Sequence, residues 1–232
     1  MGISTELVPF NPELVDLIVK ILSVAETGET SWDSGATYFY DDGPNQKNQA
    51  TLAIGFTASG NLVKVLETYV DRGGSFAAQF APFITMLHSG NLLPKNQDFA
   101  TLCRQAAQDP LFKEVQTDCF KEFYLTKAFA WASKHGFGLP LSYLVIADSF
   151  LHSGSMLDFL MNRFAEKKPS DGGDEKSWIK DYTATRKDWL ANHSKQVLRN
   201  TVYRCNCYLV QIDKSNWNLE QTPLVMHGTE VA

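Results

Sequence analysis

The stretch that decides the fold is SVAETGETSWDSGATYFYDDGPNQKNQATLAIGFT, residues 23–57. An apolar pattern with helical spacing runs into it and reaches a carboxylate at Glu26. A polar segment and the β-favouring run ATYFY at 36–40 follow, and the pair Asp41-Asp42 then precedes a glycine, which predicts a hairpin turn. The stretch therefore predicts one carboxylate at the end of a helix and another at a turn of a small sheet.

The helix before this stretch has a clear beginning. Asn11 is a cap residue, Pro12 suits the first helical position, and Glu13 places an acid in the first turn. Gly28 is a plausible end.

Helical patterns cover most of the remaining chain. One runs unbroken from Pro110 to His135, and the nearly apolar segment LPLSYLVIADSFLHSG, 139–154, is typical of a buried helix. The residues after the last helical pattern read as an irregular tail. The predicted fold class is mainly α with a small β-hairpin or sheet.

Composition excludes several functional classes. The chain has 232 residues, 44% of them hydrophobic, which is enough for one sizeable core or two lobes that share a helix. The net charge is −5 without a basic stripe, so we expect no nucleic-acid partner. No apolar run reaches the ~18 residues that a membrane span needs. The four cysteines form no CxxC pair and have no histidine at ligand spacing, so we expect free thiols and no metal.

The two carboxylates of the opening stretch have the chemistry that glycosidic bond cleavage needs. One carboxyl group must donate a proton to the leaving oxygen, and the other must be ionised to activate water or stabilise a cationic sugar. Glu26 follows apolar residues, which favours a neutral acid, whereas Asp42 at a turn is expected to be wetter and ionised. Both are also common surface features, so spacing alone leaves a purely structural role open.

Patches along nearly the whole chain resemble the glycoside hydrolase family 46 chitosanases of the lysozyme-like superfamily. They occur in the same order as in that family: AETG…YDDG…GFTASGNL, YLVIADSFLHSG (143–154), GGDEKSWIKDYTATRKDWL (172–190), ANH (191–193) and RCNCYLVQIDKSNWNL (204–219). The resemblance implies a two-lobed lysozyme-like fold with a long central helix, formed by residues 1–232 as a single domain around a cleft.

The resemblance also implies roles for particular residues. It makes Glu26 the general acid and Asp42 the base of an inverting reaction that needs no metal or cofactor. It implies an ion network of Asp148, Arg186 and Arg204 behind the acid, and two arginines are a suitable match for a buried aspartate.

The sequence departs from that family at two sugar-binding positions. Asn61 and Ser194 stand where the family has aspartates that would pair with glucosamine ammonium groups, and neutral polar groups suit N-acetylated sugars. His193 joins them in the predicted substrate-binding set, although a histidine at a helix end is also typical of a purely hydrogen-bonded residue.

A second departure affects the base. The segment between Asp42 and Gly55 is longer than in the family, and Ala50 stands where the family has a water-positioning threonine. Thr51 is the neighbouring candidate for that role, and Asp41 is the reserve candidate for the base.

These departures favour hydrolysis of the β-1,4 bonds of peptidoglycan, as in a muramidase, over chitosan. The first alternative is a chitosanase, and the second is an inactive carbohydrate-binding domain.

The expected setting follows from that prediction. The start MGISTELVPF lacks a basic n-region, so we expect no signal peptide in this chain and predict a domain of a longer protein. Such a domain is expected to be secreted or delivered to the bacterial periplasm or cell wall, as an antibacterial effector or phage-like lysin. Its partners would be a polysaccharide and an immunity or delivery protein.

Overall fold

The structure is a computed structural model that describes residues 10–232. The prediction that no signal peptide is present falls on residues 1–9 and so lies outside the described residues. The chain divides into two compact units, one formed by residues 31–120 and the other by the described residues up to 30 together with 121–232.

The unit of residues 31–120 contains the predicted small sheet. Its three strands are antiparallel in the order β1-β2-β3, and Tyr38 lies opposite Thr51 while Tyr40 lies opposite Gln49. The strands are β1 (Thr37–Tyr40), β2 (Gln49–Leu52) and β3 (Phe56–Thr57), with a 3₁₀ turn at Pro44–Gln46 between the first two.

Four helices complete this unit around a dense aromatic core. Tyr69 packs edge-on against Phe80 and Phe112, and Phe80 also contacts Phe99. The helices are α2 (Leu62–Asp71), α3 (Ala77–His88), α4 (Gln97–Ala106) and α5 (Pro110–Phe120).

The other unit begins with the predicted first helix, α1 (Pro12–Thr27). The Asn11 side chain accepts a hydrogen bond from the Leu14 N–H at 2.9 Å, as a cap does. Gly28 ends the helix with a φ of 82°, a left-handed conformation that glycine adopts without a steric penalty.

Helix α7 (Pro140–Ser153) is the most buried element of this unit and packs against α1, α9 and α11. This packing brings one polar residue from each of the four helices to the same place. The remaining helices are α6 (Thr126–Lys134), α8 (Asp158–Met161), α9 (Glu175–Ala191), α10 (Gln196–Arg199) and α11 (Tyr203–Asp213), with a 3₁₀ turn at Pro169–Asp171.

The predicted fold class, mainly α with a small antiparallel sheet, is confirmed, but two local predictions need correction. The helical run that starts at Pro110 contains a π-helical segment, Lys121–Leu125, between α5 and α6. The tail is not irregular, because it forms the hairpin of β4 (Leu224–Met226) and β5 (Thr229–Val231), whose strands pack against α1.

Candidate active site

Glu26 lies in the last turn of α1, and Arg204 of α11 holds its carboxylate. Arg204 Nη2 donates to Glu26 Oε1 at 2.6 Å and to the backbone oxygen of Ala25 at 2.8 Å. The Glu26 side chain keeps 25% of its surface exposed, whereas Arg204 keeps 3%. The carboxylate is therefore fixed from the protein side and open to solvent.

Asp148 lies behind this pair and has no exposed surface. Its Oδ1 accepts from Arg204 Nη1 at 2.7 Å, and its Oδ2 accepts from Arg186 Nη1 at 2.5 Å. The three residues that the resemblance implied as an ion network are thus joined, and the network ends at Glu26. Burial opposes the ionisation of Asp148, but the two guanidinium groups outweigh it and hold the pKa of this carboxyl well below its usual range.

His152, one turn after Asp148 on α7, extends the network away from Glu26. Arg186 Nη2 lies 3.2 Å from His152 Nδ1, and because a guanidinium can only donate, Nδ1 is the acceptor and the ring is neutral. Burial, and then the positive charges of Arg204 and Arg186, lower the pKa of His152 to about 4.

Asp42 follows strand β1 in the other unit and is exposed. Its Oδ1 accepts from Nε2 of the buried Gln49 at 2.8 Å, and Gln49 Oε1 accepts from the Ser59 N–H at 3.0 Å. The reserve candidate Asp41 is also exposed and accepts from Asn48 Nδ2 at 2.9 Å.

Thr51 and two tyrosines share one face of the sheet. Residues that lie opposite each other on neighbouring strands point to the same side, so Tyr38, Tyr40, Gln49 and Thr51 form one face. The Thr51 hydroxyl is buried and has no hydrogen-bond partner among residues 10–232, so it is not accessible to the water that it was predicted to position. The two tyrosine rings are nearly parallel and about half exposed.

The predicted sugar-binding residues lie in both units. Asn61 precedes α2, next to the loop that carries Ser59. His193 and Ser194 follow α9, and Arg199 Nη1 donates to both of their backbone oxygens, at 2.7 and 2.9 Å. The Arg199 guanidinium therefore lies beside the backbone of Ser194, the residue that stands in place of an expected aspartate.

The structure joins the predicted residues in two groups. Glu26, Asp148, Arg186 and Arg204 form one group, and Asp42 lies on the sheet that also carries Thr51. Sequence reasoning missed Gln49 as a partner of Asp42 and His152 as a partner of Arg186. Gln49 is two residues before Thr51, so strand alternation was the one available signal for it.

Comparison with known proteins identifies the family to which this arrangement belongs. The model of glycosyl hydrolase family 46 matches residues 20–224. The chain belongs to this family. It is a glycoside hydrolase, and the prediction of an enzyme of this class is confirmed.

Two chitosanases are similar to this family 46 chain in sequence. The chitosanase of Nocardioides sp. (strain N106) is 27% identical over 191 residues, which cover 76% of this chain and 66% of that protein. The chitosanase of Bacillus subtilis (strain 168) is 24% identical over 216 residues, or 86% of this chain and 77% of that protein.

Solved structures confirm the lysozyme-like, chitosanase-type fold. The native chitosanase from Bacillus subtilis MY002 matches with a TM-score of 0.80 and 22% identity, over 96% of this chain and all of that one (100%). The family 46 chitosanase of Gynuella sunshinyii, in complex with chitotetraose, matches with a TM-score of 0.79 and 20% identity, over 95% and 97% of the two chains.

Residues 10–232 contain neither a metal-binding cluster nor a membrane-spanning helix. No cluster of three or more histidine, cysteine or acidic side chains there could hold a metal ion. In the same part of the chain, no helix has the length and apolar character of a membrane span.

Proposed function

We propose that this protein hydrolyses the β-1,4 bonds of chitosan, with Glu26 as general acid and Asp42 as base. Both similar sequences are named chitosanases, and the similar structures include chitosanases bound to chitotetraose or to glucosamine units. The comparisons therefore favour the alternative that we ranked second on sequence.

The proposed role of Glu26 as the general acid rests on its carboxylate, which Arg204 holds in place. Arg204 contacts Oε1, which leaves Oε2 to deliver a proton to the glycosidic oxygen. The carboxylate that remains after proton delivery is then stabilised by the guanidinium.

Asp42 would activate the attacking water. Asp42 has one oxygen bound to Gln49 and is exposed, so its other oxygen can accept the proton of a water molecule. Direct attack of this water on the anomeric carbon, from the face opposite the leaving group, inverts its configuration.

Peptidoglycan is the second candidate substrate, and a specific observation favours it. Asn61 and Ser194 are neutral, and Arg199 contacts the backbone oxygen of Ser194. A nearby cation repels a glucosamine ammonium group but tolerates an acetamido group. This difference affects which sugars are accepted rather than the type of reaction.

A substrate series tests the proposal. Chitosans of low and high acetylation and purified sacculi would be incubated with the enzyme, and new reducing ends would be counted. We expect products from chitosan, with a preference for the more acetylated polymer. Products from sacculi alone would establish a muramidase. Binding of a polymer without any product would establish the inactive carbohydrate-binding domain.

A further inference from the structure

Within residues 10–232, the side chain of Asp42 is joined to strand β2 by one hydrogen bond, from the amide of Gln49. Gln49 is 3% exposed, and both ends of its amide are used, at 2.8 Å to Asp42 Oδ1 and at 3.0 Å from the Ser59 N–H. A buried amide with both ends satisfied has one stable orientation.

The Ser59 N–H determines which end of the amide meets the carboxylate. A backbone N–H can only donate, so the oxygen of Gln49 must face Ser59 and the NH₂ group must face Asp42. A flipped amide would place its oxygen against the carboxylate and its NH₂ against the N–H, and both contacts would be lost.

The turn after Asp42 is packed against the same amide. A Cβ atom at Gly43 would lie 3.4 Å from Cδ of Gln49 and 2.7 Å from the backbone oxygen of Lys47, so only glycine allows this approach. The Gly43 N–H also donates to that Lys47 oxygen at 3.0 Å. The carboxylate, the turn and the amide therefore form one rigid assembly.

We propose that Gln49 is a positioning residue for the reaction, because it occupies Asp42 Oδ1 and leaves Oδ2 directed at the attacking water. Through Ser59 it also ties Asp42 to the loop that leads to Asn61. Gln49 thus contacts both the proposed base, Asp42, and the loop before the predicted sugar-binding residue Asn61. The inference rests on the proposed role of Asp42 as the base.

A neighbouring pair provides a matched comparison. Asn48 Nδ2 donates to Asp41 Oδ1 at 2.9 Å, which is the same amide-to-carboxylate contact one residue away. The Asn48 side chain also accepts from the Lys95 N–H at 3.1 Å, just as Gln49 accepts from Ser59. Gln49→Glu and Asn48→Asp therefore make the same chemical and charge change beside Asp42 and Asp41 respectively.

The test measures kcat and KM on chitosan across pH for wild type, Gln49→Glu, Asn48→Asp and Asp42→Asn. In Gln49→Glu two carboxylates face each other, and they hold a shared proton only at acidic pH. We expect kcat to fall about 10- to 100-fold at neutral pH, with KM little changed, because a hydrogen bond to a charged group is lost. The loss should shrink as the pH is lowered, because the shared proton restores a donor to Asp42.

Each outcome separates the inference from the proposed function. A Gln49→Glu enzyme with wild-type kcat at every pH, while Asp42→Asn is inactive, overturns the positioning role and leaves the base in place. A pH-independent loss that tracks a lower melting temperature also overturns it, because a structural role explains that result. An active Asp42→Asn enzyme together with an impaired Asn48→Asp enzyme moves the base to Asp41 and removes the premise.

Discussion

Asp148 keeps its charge inside the protein because two arginines compensate it. All three side chains are at most 3% exposed, so removal of the carboxylate leaves Arg186 buried without its counterion and Arg204 with Glu26 alone. We expect Asp148→Asn to lower the free energy of unfolding by about 3 to 5 kcal/mol, as measured by urea denaturation.

The exposed pair of Asp16 and Lys121 serves as the control for that prediction. Its atoms are 3.2 Å apart, but Asp16 is 62% exposed, so Asp16→Asn should cost less than about 1 kcal/mol. If the two substitutions lower the free energy of unfolding equally, burial does not explain the contribution of the Asp148 network to stability.

His152 makes stability depend on pH. Its folded pKa of about 4 lies below the 6.5 of an unperturbed histidine, so the unfolded chain binds more protons between these pH values. Stability should therefore fall as the pH drops from 6.5 to 4, by up to about 3 kcal/mol. Urea denaturation of wild type and His152→Gln at both pH values measures this change in stability. If the free energy of unfolding of the variant falls as much between pH 6.5 and pH 4 as that of wild type, His152 is not the cause. Asp148 loses its charge only below this window, because its pKa is lowered.

Residues that carry the proposed chemistry were easier to predict than the residues that hold them. Glu26 and Asp148 stand in recognisable patches, and a buried aspartate calls for cationic partners. Gln49 and His152 gave no comparable signal, because a glutamine or histidine forms its contacts with whatever the fold brings near. For Gln49 that partner was Ser59, in the loop between β3 and α2.

At the level of elements, the end of α1 controls where Glu26 lies. Gly28 has a φ of 82°, and a Cβ atom there would meet nothing within 4 Å. Gly28→Ala should therefore cost about 1 kcal/mol through backbone strain alone, measured as a lower urea midpoint. Gly138→Ala is the matched control, since its added Cβ would meet only a carboxylate oxygen at 3.9 Å and its φ is not in the left-handed region. If both variants unfold at the same midpoint, the strain argument fails.

Helix periodicity predicted most helices, and it could not predict two other elements. The π-helical segment Lys121–Leu125 keeps a helical pattern on both sides, so a local shift of the hydrogen bonds is invisible in the sequence. The strands β4 and β5 have three residues each, which is too short for an alternation signal. Their packing against α1 and α11 stabilises them, and such tertiary contacts override weak local preference.

At the scale of the whole molecule, the proposed acid and base come from different compact units. The chain order of Glu26 before Asp42 was visible in the sequence, and so was the family. The preferred sugar polymer was harder to predict, because the substitutions at Asn61 and Ser194 pointed to peptidoglycan while the similar proteins are chitosanases. The Arg199 guanidinium beside the Ser194 backbone was not visible in the sequence either, because the fold brings it there.

The most direct test of the central claim is the product analysis of chitosan digested by wild type, Glu26→Gln and Glu13→Gln. Glu13 lies at the opposite end of α1 and controls for the same chemical change. We predict glucosamine oligomers in the mass spectrum for wild type and Glu13→Gln, and a kcat at least about 100-fold lower for Glu26→Gln, as loss of a general acid implies. Oligomers released at the wild-type rate by Glu26→Gln would contradict the account.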